Sequence, residues 1–256
     1  MDIGTSHGPA RAELAVPSGP SASGPPSFLL VLTHGAGGSV NAPDLLAVRD
    51  AALRAGGATA LVTQPYRIAG ARAPGSPAAQ DEAWREIIAF LRGRPWSGPW
   101  AGPEKDADAV PLSPGTPLIV GGRSNGARVA CRTAAAVGAR AVIALAFPLR
   151  PPGRRAAAGS AGTADPPARA TKLRAAARSA GSSNPPARAA ELRAAADGGA
   201  RVLVVNGDRD PFGIPGPEDA IRVVVLKGES HALSRNPASV AEAVTGWLSE
   251  VVPLVR

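Results

Sequence analysis

A chain of 256 residues with 45% hydrophobic content is long enough for one α/β domain with a full core. Its single cysteine, Cys131, excludes a disulfide framework and most thiolate metal sites, and its three histidines form no His/Cys cluster, so no metal and no cofactor is expected. The net charge of +8 is confined: residues 150–201 hold ten Arg/Lys and three Asp/Glu, the rest is almost neutral, and the basic segment lacks the interleaved aromatics of a base-stacking surface.

The first 26 residues are rich in Gly, Pro and Ser and read as a flexible segment, with "RAELAVP" as a possible edge strand. They carry neither a basic start nor the apolar run of a signal peptide. No stretch reaches the about 18 uninterrupted apolar residues of a membrane span. A cytoplasmic protein with a small-molecule substrate, and no nucleic-acid or membrane partner, is the expectation.

From residue 27 the pattern becomes regular. "SFLLVLTHGAGG" is a buried strand entering a Gly-rich loop, and "PDLLAVRDAALRAGG" has helical spacing and stops at a Gly pair. "ATALVTQPY" is the next strand and "AAQDEAWREIIAFLR" the next helix. Residues 93–117 form a loop carrying Trp96 and Trp100, expected to pack rather than bind. "PLIVGG" is a strand, "NGARVACRTAAAVG" a helix and "RAVIALAFP" a strand. An Arg/Ala-rich insertion follows at about 151–200, in which "PPARATKLRAAA" at 166 recurs as "PPARAAELRAAA" at 185. Its expected form is one or two amphipathic helices weakly anchored by Leu173 and Leu192, or partial disorder. "ARVLVVNGDRDPFG" and "AIRVVVLKGESHAL" are strands entering loops, and "NPASVAEAVTGWLSEVV" is a closing helix.

Strands alternating with helices predict an α/β fold, a mostly parallel sheet with helices on both faces. Working residues in such sheets gather beyond the carboxyl ends of the strands. This rule decides between two Gly-x-Ser-x-Gly matches. Gly4–Gly8 has no strand before it and no helix pattern after it, whereas Gly122–Gly126 has both. A serine between a buried strand and a helix N-terminus stands on a sharp turn with its hydroxyl exposed, which makes Ser124 the candidate nucleophile. Its base is expected to be His231, in the loop after "IRVVVLKG", because His7 lies in the N-terminal segment and His34 reads as a loop anchor. Asp210 is the preferred orienting acid and Asp208 the alternative, on the reading that Asp208 bonds its own turn. The oxyanion donors are expected to be the backbone N–H groups of Asn125 and of Ala36 in "HGAGGS". That loop lacks both the third glycine of a dinucleotide fingerprint and the lysine of a P-loop. Gln64, Tyr66, Arg67, Phe147, Arg150 and Phe212 each follow a strand on the working edge and are candidate substrate contacts, with Tyr66, Phe147 and Phe212 equally readable as core.

The segments "THGAGG", "QPYR", "GGRSNGARVA", "AFPLRPPG", "GDRDPFG" and "SHAL" resemble the α/β-hydrolase-like family named after a subunit of the NSL histone acetyltransferase complex and a testis-expressed protein. Its bacterial members are related to the dienelactone hydrolase branch. The resemblance covers about residues 28–251 and implies an α/β-hydrolase fold with Ser124, Asp210 and His231 as triad. Two departures stand out: Arg150 replaces a histidine in the "FPLHPPG" pattern, and Ser230-His231-Ala232 replaces "DHS". The expected activity is hydrolysis of an ester or related acyl substrate. The alternatives are a non-catalytic interaction module of the same fold, and acyl transfer or thioester hydrolysis by the same triad, with Arg67 and Arg150 holding an anionic carrier.

Overall fold

The computed structural model describes residues 1–18, 24–94, 115–151, 188–218 and 221–255. Eight strands form one sheet in the order β1-β2-β4-β3-β5-β6-β7-β8. The strands are β1 (Asp2–Ile3), β2 (Ala10–Ala15), β3 (Leu29–Thr33), β4 (Ala58–Thr63), β5 (Leu118–Arg123), β6 (Ala141–Leu145), β7 (Arg201–Gly207) and β8 (Ile221–Leu226). From β4 through β8 every neighbouring pair is parallel, while β1 and β2 run antiparallel at one end. The helices among the described residues are α1 (Pro43–Arg54), α2 (Pro65–Ile68), α3 (Pro77–Gly93), α4 (Asn125–Thr133), α5 (Ala189–Asp197) and α6 (Pro237–Val255).

Central parallel strands are covered on both faces, so they read as unbroken apolar runs, and all five residues of β3 and of β6 are buried. Alternate side chains feed two cores. Val31, Val62, Val120, Val142 and Val204 pack with Trp84 and Ile87 of α3, Val129 of α4 and Leu192 of α5. Leu30, Leu32, Leu61, Ile143 and Val205 pack on the other face with Leu45 and Val48 of α1 and Val244 and Trp247 of α6. Local signals set the helix ends: the Ser76 hydroxyl accepts from the Ala79 N–H at 3.2 Å, and Gly56 follows α1 at φ +82°.

Two sequence expectations hold only in part, since a strand is present in "RAELAVP" as β2 and an amphipathic helix around Leu192 as α5. The first concerns the N-terminal segment, which is built into the sheet rather than loose. Ile3, Ala10 and Ala12 are buried in the core, and the Met1 ammonium donates to the Ala12 carbonyl at 2.8 Å. Its strands alternate between buried and exposed positions, as antiparallel end strands do, so they lack the apolar run that flags β3 or β6. The second concerns the Arg/Ala-rich segment. Its C-terminal part is α5, whose Leu192 is 2% exposed, a burial on the order of 1.5–3 kcal/mol. Glu191 of α5 takes a forked pair of bonds from Arg128 of α4 at 2.8 and 2.6 Å. The second copy of the repeat is therefore an integral element, while the first copy with Leu173, and the loop with Trp96 and Trp100, lie outside the described residues.

Candidate active site

Ser124 stands between β5 and α4 with φ 52° and ψ −109°, a conformation that costs a non-glycine residue on the order of 1–3 kcal/mol. The strain persists because the surroundings leave no room to relax it. A Cβ at Gly122 would sit 2.5 Å from the Thr33 carbonyl oxygen, and one at Gly126 would sit 2.7 Å from those of Thr33 and His34. The Ser124 N–H donates to the Leu145 carbonyl at 2.9 Å, fixing the turn to the next strand. Glycine on both sides is a steric requirement of this turn.

The structure brings Ser124, His231 and Asp210 together in one hydrogen-bonded line. Ser124 Oγ is 2.9 Å from His231 Nε2, and His231 Nδ1 is 2.8 Å from Asp210 Oδ2. The acid's side chain is fully buried and the imidazole is partly exposed. Asp210 Oδ2 also accepts from Asn206 Nδ2 at 3.1 Å, and Oδ1 accepts from the Phe212 N–H at 2.9 Å. These bonds satisfy both buried oxygens and fix the orientation of the carboxylate. Asp208 faces elsewhere: its Oδ1 accepts from the Gly228 N–H at 2.8 Å, tying the loops after β7 and β8 together. The Asx-type contact expected of Asp208 is thus made by Asp210.

Glu229, which the sequence reading did not single out, braces the histidine loop. Its buried carboxylate accepts from the Asn236 N–H at 2.6 Å and from the Arg235 N–H at 3.3 Å, and its carbonyl accepts from Arg209 N–H at 3.0 Å. Charged side-chain acceptors on backbone donors are among the stronger hydrogen bonds. Two loops far apart in sequence are fixed to one another next to the Asp210–His231 contact.

His34 is buried and takes one tautomer. Nε2 accepts from the Gln64 N–H at 3.1 Å, so Nδ1 carries the proton and donates to the Gly35 carbonyl at 2.8 Å. Burial holds its pKa below the ordinary value, consistent with a neutral ring that anchors the loop. Tyr66 donates its hydroxyl to the Ala36 carbonyl at 3.1 Å, and Asn125 Nδ2 donates to Gln80 Oε1 at 2.7 Å. Each of the two oxyanion-donor candidates is therefore held by a partner from outside its own segment. Asn125 opens α4, where a backbone N–H has no carbonyl one turn back.

A cavity of about 610 Å³ opens over Ser124 and His231. Its walls are the Gly35–Gly38 loop, Asn125, Pro74, Pro148 and Phe212, together with Arg123, Arg128 and Arg188. Phe212 also packs edge-on against the His231 ring at 4.5 Å between centroids. The other candidate contacts lie away from the lining of this cavity. Phe147 has no exposed surface and its N–H donates to Asn206 Oδ1 at 2.9 Å, because the positive φ of 46° at Ala146 turns the chain back into the core. Gln64 and Tyr66 line a separate cavity of about 200 Å³, and burial pushes the Tyr66 hydroxyl pKa up to about 12. Neither Arg67, which donates to the Ala71 carbonyl at 3.1 Å, nor Arg150 is among the residues around the Ser124 cavity.

Asp44 is a third buried carboxylate near the site. Neither of its oxygens has a hydrogen-bond partner, and Arg123 Nε approaches no closer than 3.4 Å. Burial raises its pKa to about 6, with Arg123 opposing the shift. Arg123, next to the serine, also donates to the His231 carbonyl at 3.2 Å and so links α1 to the histidine loop. Among the described residues no group of three or more His, Cys, Asp or Glu side chains is arranged to hold a metal ion, and no helix is long and apolar enough to cross a membrane.

Comparisons with known proteins agree with this architecture. An alpha-beta serine hydrolase homologue from Coxiella burnetii superimposes with a TM-score of 0.61 at 14% identity, covering 97% of this chain and 96% of that one. An α/β serine hydrolase without a lid from Xanthomonas campestris gives 0.61 at 17% identity, covering 98% and 93%. Est1E from Butyrivibrio proteoclasticus, solved with ferulic acid bound, gives 0.60 at 18% identity, covering 99% of each chain. At such identities the likeness shows the fold. No curated protein matches the sequence significantly. A family profile described as an alpha/beta hydrolase domain matches residues 26–165. That span exceeds half of the 256 residues, and the chain belongs to the alpha/beta hydrolase domain family.

Proposed function

We propose that this protein is a serine hydrolase of carboxylic esters or closely related acyl compounds. The observation that carries the reading is the unbroken line Asp210–His231–Ser124 at the mouth of the 610 Å³ cavity. In this reading Ser124 Oγ attacks the substrate carbonyl carbon while His231 Nε2 takes its proton, and Asp210 holds the Nδ1–H and stabilises the imidazolium. The N–H groups of Asn125 and Ala36 receive the negative charge on the tetrahedral oxygen. The imidazolium returns its proton to the departing alcohol, leaving an acyl-serine. A water, deprotonated by His231, then releases the acid and restores the serine.

The kinship of the fold supports this class of chemistry, since the structural neighbours are described as serine hydrolases and an esterase domain, and one as a dienelactone hydrolase. The test is hydrolysis of short p-nitrophenyl esters by the wild type and by Ser124→Ala and His231→Ala. Members of a triad act as a unit, so each substitution should lower the rate by about 10⁴-fold or more while leaving the protein folded. Undiminished turnover in Ser124→Ala would exclude the mechanism.

A further inference from the structure

Three arginines line the Ser124 cavity, and their pairing is unequal. Arg123 faces the carboxylate of Asp44 at 3.4 Å and the His231 carbonyl at 3.2 Å. Arg128 is clamped by Glu191 at 2.8 and 2.6 Å. Glu191 is shared further with Arg132 at 3.5 Å, and Arg132 in turn takes both oxygens of Asp81. Arg188 has no carboxylate partner among the described residues: its Nη1 donates to the carbonyls of Pro148 at 3.3 Å and Arg150 at 2.7 Å. These bonds fix where the guanidinium sits without neutralising it, and they leave the Nε and Nη2 protons uncommitted. Burial and the neighbouring Arg128 hold its pKa below the ordinary arginine value, against the pull of Glu191. Arg188 also stands at the N-cap of α5, where the helix's partial positive charge adds to its own.

Resting on the serine-hydrolase reading, we propose that the substrate carries a carboxylate besides its scissile ester, and that Arg188 binds it. A guanidinium with no carboxylate partner among the described residues matches one negative charge, and its planar fork matches the two oxygens of a carboxylate. The apolar part of the substrate has Pro74, Pro148 and Phe212 to lie against. Glu191 does not repel the anion, because Arg128 and Arg132 already neutralise it.

The test compares matched ester pairs of equal length, with and without a terminal carboxylate, placed in the acyl chain in one pair and in the alcohol in the other. In at least one pair the wild type should favour the carboxylate-bearing ester in kcat/KM by about ten- to a hundredfold. Arg188→Met should bring that ratio close to one, and Arg188→Lys should retain part of it. Because both esters are read on one variant, a general loss of folded enzyme cancels. Equal or reversed preference in both wild-type pairs, or a preference that survives in Arg188→Met, overturns the proposal while leaving the hydrolase reading intact. Should neither ester be hydrolysed, the hydrolase reading fails instead. Calorimetric titration with glutarate then decides the anion site: binding lost in Arg188→Met supports it, and no binding to the wild type overturns it.

Discussion

Asp210 and Asp44 have fully buried side chains beside the same histidine loop, yet their surroundings treat them in opposite ways. Asp210 meets donors from Asn206 in β7, Phe212 in its own loop and His231 in the loop after β8, so both of its oxygens are hydrogen-bonded. The first turn of α1 leaves both Asp44 oxygens without a well-formed hydrogen bond and with only a stretched ion pair, and burial drives its pKa to about 6. The lesson is that burial alone does not identify a working carboxylate. The donors around it and the geometry of its nearest base distinguish the two.

The comparison breaks most visibly at Asp210. Asp210→Asn should keep the fold but lower kcat by about 10⁴-fold, because an amide in that place no longer holds the imidazole Nδ1–H and favours the wrong tautomer. Asp208→Asn, whose carboxylate only ties Gly228, should cost less than about tenfold. Steady-state kinetics on the two variants, read beside circular dichroism, separates the roles, and a reversed order would exchange them.

Asp44 sharpens the contrast through stability. A carboxyl whose pKa rises from 3.8 to about 6 on folding binds its proton more tightly in the folded state. Stability from this group is therefore full below the unfolded value, falls as pH rises between 3.8 and about 6, and is flat above. Asp44→Asn should remove that slope and stabilise the protein at neutral pH by up to about 3 kcal/mol, in denaturant titrations at pH 4.5 and 7.5. A variant less stable than the wild type at pH 7.5 would show that the Arg123 pairing outweighs desolvation. Glu229→Gln, which weakens two well-made bonds instead of relieving an orphaned charge, should have the opposite sign, a loss of about 1–2 kcal/mol.

The smallest effect is expected from deleting residues 166–184, the first repeat with its linker. The second repeat supplies α5 and its buried Leu192, so the deleted chain should remain soluble with a single cooperative transition. Aggregation of this variant would place the first repeat within the structural core.

The parallel sheet was legible because doubly covered strands leave continuous apolar runs, and the candidate triad because each member sits just past the end of such a run. The same rule leaves open residues whose direction depends on tertiary context. Phe147 follows a strand but is turned inward by Ala146 and held by Asn206, and neither bond has a local sequence signal. Conversely, the strand-end rule passes over Arg128, four residues beyond the serine on α4, although helical spacing from Ser124 would have placed it on the same side. Arg188 was hidden by composition. One arginine in an Arg/Ala-rich segment looks like its solvated neighbours until α5 docks on α4 and sets it against the cavity. Of the two end strands, β2 showed in the sequence only as the possible edge strand "RAELAVP", and the two-residue β1 gave no signal; pairing of β1 with β2 and of β2 with β4 gives them their places.

The central claim is that Ser124 is the activated nucleophile, and covalent labelling tests it most directly. The native protein would be incubated with a fluorophosphonate, digested, and the modified peptide located by mass spectrometry. One adduct is expected, on Ser124; it should disappear in Ser124→Ala and form more slowly by orders of magnitude in His231→Ala. An adduct on another serine, or none on a folded wild-type protein, would contradict it.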